Sequence, residues 1–276
     1  APLFDEPNVV ALAEMMNYVG VIGGDKGAIS KIIASQAHHK KIDGHAPGLS
    51  GNALNAYISA GVYSDHECFT FENALEKLEK GQFIMIREGT AAKNLDALMP
   101  LMCEKYYSRC MFATDDKHPG DLLDLGHIDY IARRAIRAGA DPIITVKVAS
   151  HNAARYFLLN NKGAVAPGYL ADFAVVDNFK DFNVTLVIKR GVTVYDGTLA
   201  PLSPDLTGKK LHAAALDTMR LSPVSPSDFA ALGPLAVIGA VPGEIVTQNL
   251  GFSNSADPKN GMVKLAVIER HKNTGH

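Results

Sequence analysis

Residues able to bind metal or move protons stand at the ends of five short apolar runs. Val10-Ala11-Leu12-Ala13 runs into Glu14, Ile42 opens onto Asp43-Gly44-His45, and Gly61-Val62-Tyr63-Ser64 leads to Asp65-His66-Glu67. Phe83-Ile84-Met85-Ile86 meets Arg87-Glu88, and Cys110-Met111-Phe112-Ala113-Thr114 meets Asp115-Asp116. Imidazoles and carboxylates together hold divalent cations, and one carboxylate can bridge two of them. A bound cation lowers the pKa of water, and a nearby carboxylate can take the proton released.

Taken singly, these residues have two readings. Glu14 is a strand-edge carboxylate or a metal ligand. His45 lies in the glycine-dense Asp43-Gly44-His45-Ala46-Pro47-Gly48-Leu49-Ser50-Gly51, where backbone can approach closely, yet a lone histidine is often structural. His66 ends the next run, and two adjacent strand-end histidines after a strand-end glutamate say more than any one of them. Asp115 and Asp116 repel unless a cation or a shared proton relieves them; the other reading is a solvated turn. In the catalytic reading one takes a metal and a proton, and the other a substrate N–H. Asp116 or Glu88 is a candidate for orienting the base, and His118 for a proton relay or a surface turn. His38, His39, His127 and His151 read as helix-end or packing residues.

The elements that would position this set alternate. Strand-like Val9–Glu14, Ile42–His45, Val62–Asp65, Phe83–Arg87 and Cys110–Thr114 are separated by helical patterns over 25–38, 52–60, 71–80 and 93–103. This β-then-α order predicts an α/β fold with a parallel sheet, and ligands bind such sheets at the carboxyl ends of the strands. Helices are expected at 128–138, 142–148 and 152–159, with Ser150 able to cap the last. Beyond Gly163 the chain turns β-rich, with strands expected at 173–176, 183–189 and 192–195. A Pro- and Ser-rich linker with a short helix follows over 202–228, and then strand-like 237–246 and 262–269. Three units are therefore expected: 1–162, 163–201 and 202–276.

Composition narrows the class. The chain has 276 residues, 47% apolar and 20% charged, with a net charge of −2, so nothing favours a polyanion such as nucleic acid. No apolar run is long enough for a bilayer. Three scattered cysteines point to a reducing compartment, and the cytoplasm is expected. P-loop, dinucleotide-binding, Gly-x-Ser-x-Gly and small zinc-deaminase signatures are absent. The start, Ala1-Pro2-Leu3-Phe4-Asp5-Glu6-Pro7, lacks an initiating Met, and the end stops without a helix. A piece of a longer protein is expected, with the remainder of the parent polypeptide as a partner.

The order Glu14, His45, His66, Asp115 resembles the metal-dependent amidohydrolase superfamily. More narrowly, Glu14-Met15-Met16-Asn17-Tyr18, Asp43-Gly44-His45-Ala46-Pro47-Gly48-Leu49, Ser64-Asp65-His66-Glu67 and Ala113-Thr114-Asp115-Asp116-Lys117-His118-Pro119 resemble the bacterial adenine deaminase family. Pro242-Gly243-Glu244-Ile245-Val246-Thr247 and Ala266-Val267-Ile268-Glu269-Arg270-His271 resemble that family's C-terminal domain. The resemblance implies a partial (β/α)8 TIM-like barrel, a small β-sandwich and part of a C-terminal α/β domain. It implies adenine as substrate, deaminated by water to hypoxanthine and ammonia in purine salvage, and a homo-oligomer. It implies two divalent ions, Mn(II) or Fe(II), with Zn(II) also suited to the donors. Glu14 would bridge them, His45 and His66 would hold one, and Asp115 the other. The superfamily's His-x-His pair, which sits on the first barrel strand, occurs nowhere in this chain. The resemblance therefore places the chain from barrel strand four onward, and activity of the chain by itself is not implied. Two other readings stay open: another amidohydrolase acting on a cyclic amide or an N-acetyl sugar, and a non-catalytic fragment.

Overall fold

Five short strands in parallel, with helices between them, carry the first half of the chain. The computed structural model describes residues 2–198, 218–230 and 233–272. The strands are β1 (Ala11–Met15), β2 (Lys41–Gly44), β3 (Ser64–Asp65), β4 (Phe83–Arg87) and β5 (Cys110–Ala113). β1 pairs with β2, and β3, β4 and β5 form a second ladder in sequence order, all parallel. Side-chain bonds bring β2 alongside β3: the Gly44 N–H donates to Ser64 Oγ at 3.2 Å, and that hydroxyl donates to Asp43 Oδ1 at 3.2 Å. A Cβ on Gly44 would lie 2.1 Å from the Ser64 carbonyl oxygen, so only glycine permits this approach.

Helices supply the crossovers: α1 (Tyr18–Ile22), α2 (Lys26–Ala37), α3 (Gly51–Ser59), α4 (Phe71–Glu79), α5 (Leu95–Leu98), α6 (Pro119–Asp124), α7 (Ile128–Arg137), α8 (Pro142–Val146) and α9 (Asn152–Tyr156). Asp25 caps α2 by accepting from the Ala28 N–H at 2.8 Å, and Thr70 caps α4. The helix expected over 93–103 shortens to α5 and a 3-10 turn at Met99–Leu101, where Pro100 has no N–H to continue it. Ser150 does not cap a new helix. The chain passes from α8 through a π turn at Lys147–His151 straight into α9.

Alternation sorts the strand side chains. Ile84, Ile86, Cys110 and Phe112 face the helices and pack with Leu78, Leu95, Leu98, Ile131 and Ile144. Met85 and Met111 point to the opposite face and meet Tyr156. Arg87 shares the parity of Met85, whereas Glu88 falls on the helix side. Around β1 and β2 a second core gathers Met15, Val21, Ala28, Ile32, Ile42, Tyr57 and Val62.

An antiparallel three-stranded sheet follows, β6 (Phe173–Val176), β7 (Val184–Lys189) and β8 (Val192–Tyr195). Phe182 and Val176 join the core under the parallel strands, so this sheet belongs to the same compact unit, residues 1–198 with 243–245. The division expected at 162 falls inside that unit. The second unit comprises 199–242 and 246–276. Its described part holds β9 (Leu235–Ala240) antiparallel to β10 (Thr247–Ser253), with a bulge between Asn249 and Phe252 where Gly251 takes φ +86°. None of its described residues is buried. Residues 262–269, expected as a strand, pair with no other strand among the described residues. Most of the expected linker, residues 202–217, lies outside the described residues. Among the described residues no helix is long and apolar enough to cross a membrane. The architecture is α/β.

Candidate metal centre

Parallel strands in order put their carboxyl ends on one rim, and the chemistry-bearing residues sit there. Glu14 lies at the end of β1, His45 one residue past β2, and His66 one residue past β3. Glu14 Oε2 is 2.9 Å from His66 Nε2 and 3.4 Å from His45 Nδ1. Each of these three atoms is buried, and none has a hydrogen-bond partner. They meet as charged neighbours rather than in hydrogen-bond geometry, an arrangement that a shared cation would satisfy. A divalent cation does so, since it accepts lone pairs from one carboxylate and two imidazoles at once. The donor set fits such an ion.

Asp115 stands nearby. Its carboxylate, His66 and Glu67 offer ligand atoms within 4.8 Å of one another. Asp115 takes φ +45°, a left-handed conformation that aspartate tolerates better than most residues and that turns the chain sharply after β5. Its side chain is 36% exposed, whereas the neighbouring Glu67 and Arg87 are buried. It is therefore the member of the group a small molecule reaches most readily.

Two residues not singled out from the sequence complete the cluster. Glu67 Oε1 is 3.2 Å from His45 Nδ1 and 3.1 Å from His66 Nε2. Arg87 grips Glu67 with both terminal nitrogens, at 2.6 and 2.9 Å, and donates to Asp115 Oδ2 at 2.9 Å. Burial pushes the Glu67 carboxyl up, but the facing His66 imidazole and the Arg87 guanidinium outweigh it and hold Glu67 at about 2. Burial alone would depress His66. The Glu67, Glu14 and Asp65 carboxylates reverse that and raise it above its ordinary value. Acidic groups thus draw positive charge to this spot, whether a proton on His66 or a metal cation. The signal for Glu67 was its place directly after His66. For Arg87 it was the opposite parity of Arg87 and Glu88, which shows that only one of them faces the rim but not which.

The other candidates lie apart. Glu88 is held by Arg134, which also pairs with Asp96, and by the Leu95 N–H at 3.4 Å, so it braces α5 and α7 rather than joining the cluster. Burial raises its pKa, against the pull of Arg134. Asp116 turns to the neighbouring loop, where Oδ2 accepts from the Ala91 N–H at 2.7 Å. Its Oδ1 is buried without a partner, in space that a Cβ on Gly89 would invade at 1.6 Å. The His118 N–H donates to Thr90 Oγ1 at 2.9 Å, and its side chain is not part of the cluster.

The amidohydrolase family model matches residues 2–194. Adenine deaminase from Desulfatibacillum aliphaticivorans is 43% identical over 283 residues, covering 100% of this chain and 49% of that protein. Adenine deaminase from Dehalococcoides mccartyi is 41% identical over 288 residues, with the same two shares. The chain spans about half the length of the curated relatives it matches. A crystal structure of beta-aspartyl dipeptidase from Fervidobacterium islandicum superposes with a TM-score of 0.50 at 19% identity, covering 67% of this chain and 56% of that one, a likeness of fold. With most of its length matched by the family model and a donor cluster on the strand-end rim, the chain belongs to the amidohydrolase family.

Proposed function

We propose that the protein containing this chain hydrolyses adenine to hypoxanthine and ammonia. The observation that carries the proposal is the convergence of Glu14 Oε2, His45 Nδ1 and His66 Nε2, buried and within ligand reach of one another, in a chain similar to proteins named adenine deaminase. Glu14, His45 and His66 would hold a divalent cation and Asp115 a second, with Mn(II) or Fe(II) expected and Zn(II) also suited. Such an ion supplies a nucleophilic water near neutral pH.

The chain's own groups do the rest. Asp115 accepts the proton from the attacking water and delivers it to a ring nitrogen or the leaving amine. Arg87 fixes the orientation of Asp115 through its 2.9 Å bond. Asp116, next in the chain to Asp115, is the candidate acceptor for an N–H of the purine. Glu88, locked to Arg134, serves as a brace. In this proposal the five parallel strands are the later part of a (β/α)8 barrel, β6–β8 part of a β-sandwich and β9–β10 the start of a C-terminal α/β domain. The protein works as a homo-oligomer in the cytoplasm, with no nucleic acid or membrane as partner.

A product assay tests this. Metal-loaded protein given adenine is expected to release ammonia and hypoxanthine in equal amounts. Hydrolysis of a cyclic amide or an N-acetyl sugar, with adenine untouched, would move the protein to another branch of the family.

A further inference from the structure

We propose that a wholly buried ion pair, Asp65–Lys77, positions the two loops that carry the candidate metal ligands and thereby sets the affinity and geometry of the cation site. This inference rests on the metal reading above. Lys77 Nζ lies 2.9 Å from Asp65 Oδ2, and both side chains are 0% exposed. Neither residue is a candidate ligand, but each is bonded to the neighbour of one. Asp65 Oδ1 accepts from the Ala46 N–H at 2.7 Å, directly after His45. Asp65 Oδ2 accepts from the Glu67 N–H at 3.1 Å, directly after His66. Lys77 Nζ also donates to the Ala46 carbonyl at 2.7 Å. Both backbone groups of Ala46 are thus held by one ion pair, and the same carboxylate holds the loop after β3. Cys68 adds a weaker bond to Asp65 Oδ2 at 3.2 Å.

Stability alone does not call for a lysine here. Lys77 lies in the last turn of α4, on the face that buries Ala74 and Leu78, where an apolar pair in place of Lys77 and Asp65 together would pack without desolvating either charge. Buried ion pairs replaced by well-packed apolar residues are often no less stable. What an apolar residue cannot do is hold a carbonyl of one loop and a carboxylate of the next. Groups just outside a metal's ligands commonly change metal affinity by about 10–100-fold when altered.

Co(II) is the probe, because its visible absorption reports the geometry of its ligands. Three proteins are compared at a temperature where circular dichroism shows all of them folded: the unaltered protein, Lys77→Met and Ile131→Ala. Ile131, on α7, is fully buried in the core, so its truncation costs stability without touching either loop. Lys77→Met is expected to weaken Co(II) binding about tenfold or more and to change the absorption bands, while Ile131→Ala leaves both as they were. If Lys77→Met does not fold, Asp65→Asn carries the same expectation, since it keeps the shape and removes the charge and one acceptor. Co(II) binding and bands in Lys77→Met equal to those of the unaltered protein would overturn the inference, as would an equal loss in Ile131→Ala. Failure of the unaltered protein to bind Co(II) would overturn the metal reading first, and this inference with it.

Discussion

Asp115→Asn is expected to lower the turnover of adenine by about 10²–10⁴-fold, the usual contribution of a general acid–base group, with the fold intact. Asparagine tolerates the left-handed conformation at φ +45°, and its amide oxygen can still accept from Arg87. It cannot accept a proton from water. Metal content is measured alongside turnover, so that a lost cation is not read as a lost base. Near-normal turnover by the metal-replete Asp115→Asn protein would move the proton to Asp116 or His118.

Arg87→Met is expected to cost about 3–5 kcal/mol of folding stability, because it strands a buried carboxylate without its partner. Arg87 is 1% exposed and Glu67 3%, so solvent cannot take over the pairing. Urea unfolding at neutral pH with a chelator present measures the loss. Acid sharpens the test. Glu67 is held at about 2 against an ordinary 4.5, so its contribution is complete above about pH 4.5 and disappears as pH falls toward about 2. Without Arg87 that depression shrinks, and the variant's stability should fall less steeply across this window than that of the unaltered protein. A change below about 1 kcal/mol, the range of exposed ion pairs, would mean the pair is not buried in solution.

Much of the rim was legible in the chain, because polar endings on apolar runs survive any error in the exact strand limits. β4 begins and ends at the expected residues, Phe83 and Arg87. β3 is shorter than expected, only Ser64 and Asp65, because the Gln82 side chain takes the Val62 and Ser64 carbonyls that a longer ladder would use. The short helices α1 and α6 left no periodicity long enough to read. The site was less legible than the fold. Whether Arg87 or Glu88 faces the rim depends on which side the helices cover, a tertiary fact that local pattern does not contain. Glu67 is drawn in by Arg87 from the neighbouring strand, and the Asp65–Lys77 pair joins residues twelve apart through a helix.

Whether Glu14, His45 and His66 hold a metal ion decides the functional reading. Anomalous diffraction from crystals grown with Mn(II), recorded above the Mn absorption edge, addresses this most directly. The expected result is a peak within about 2.0–2.3 Å of Glu14 Oε2, His45 Nδ1 and His66 Nε2, the distance range of imidazole and carboxylate ligands. A fully folded protein with no anomalous density among these three side chains, or with Mn(II) bound only elsewhere, would contradict it.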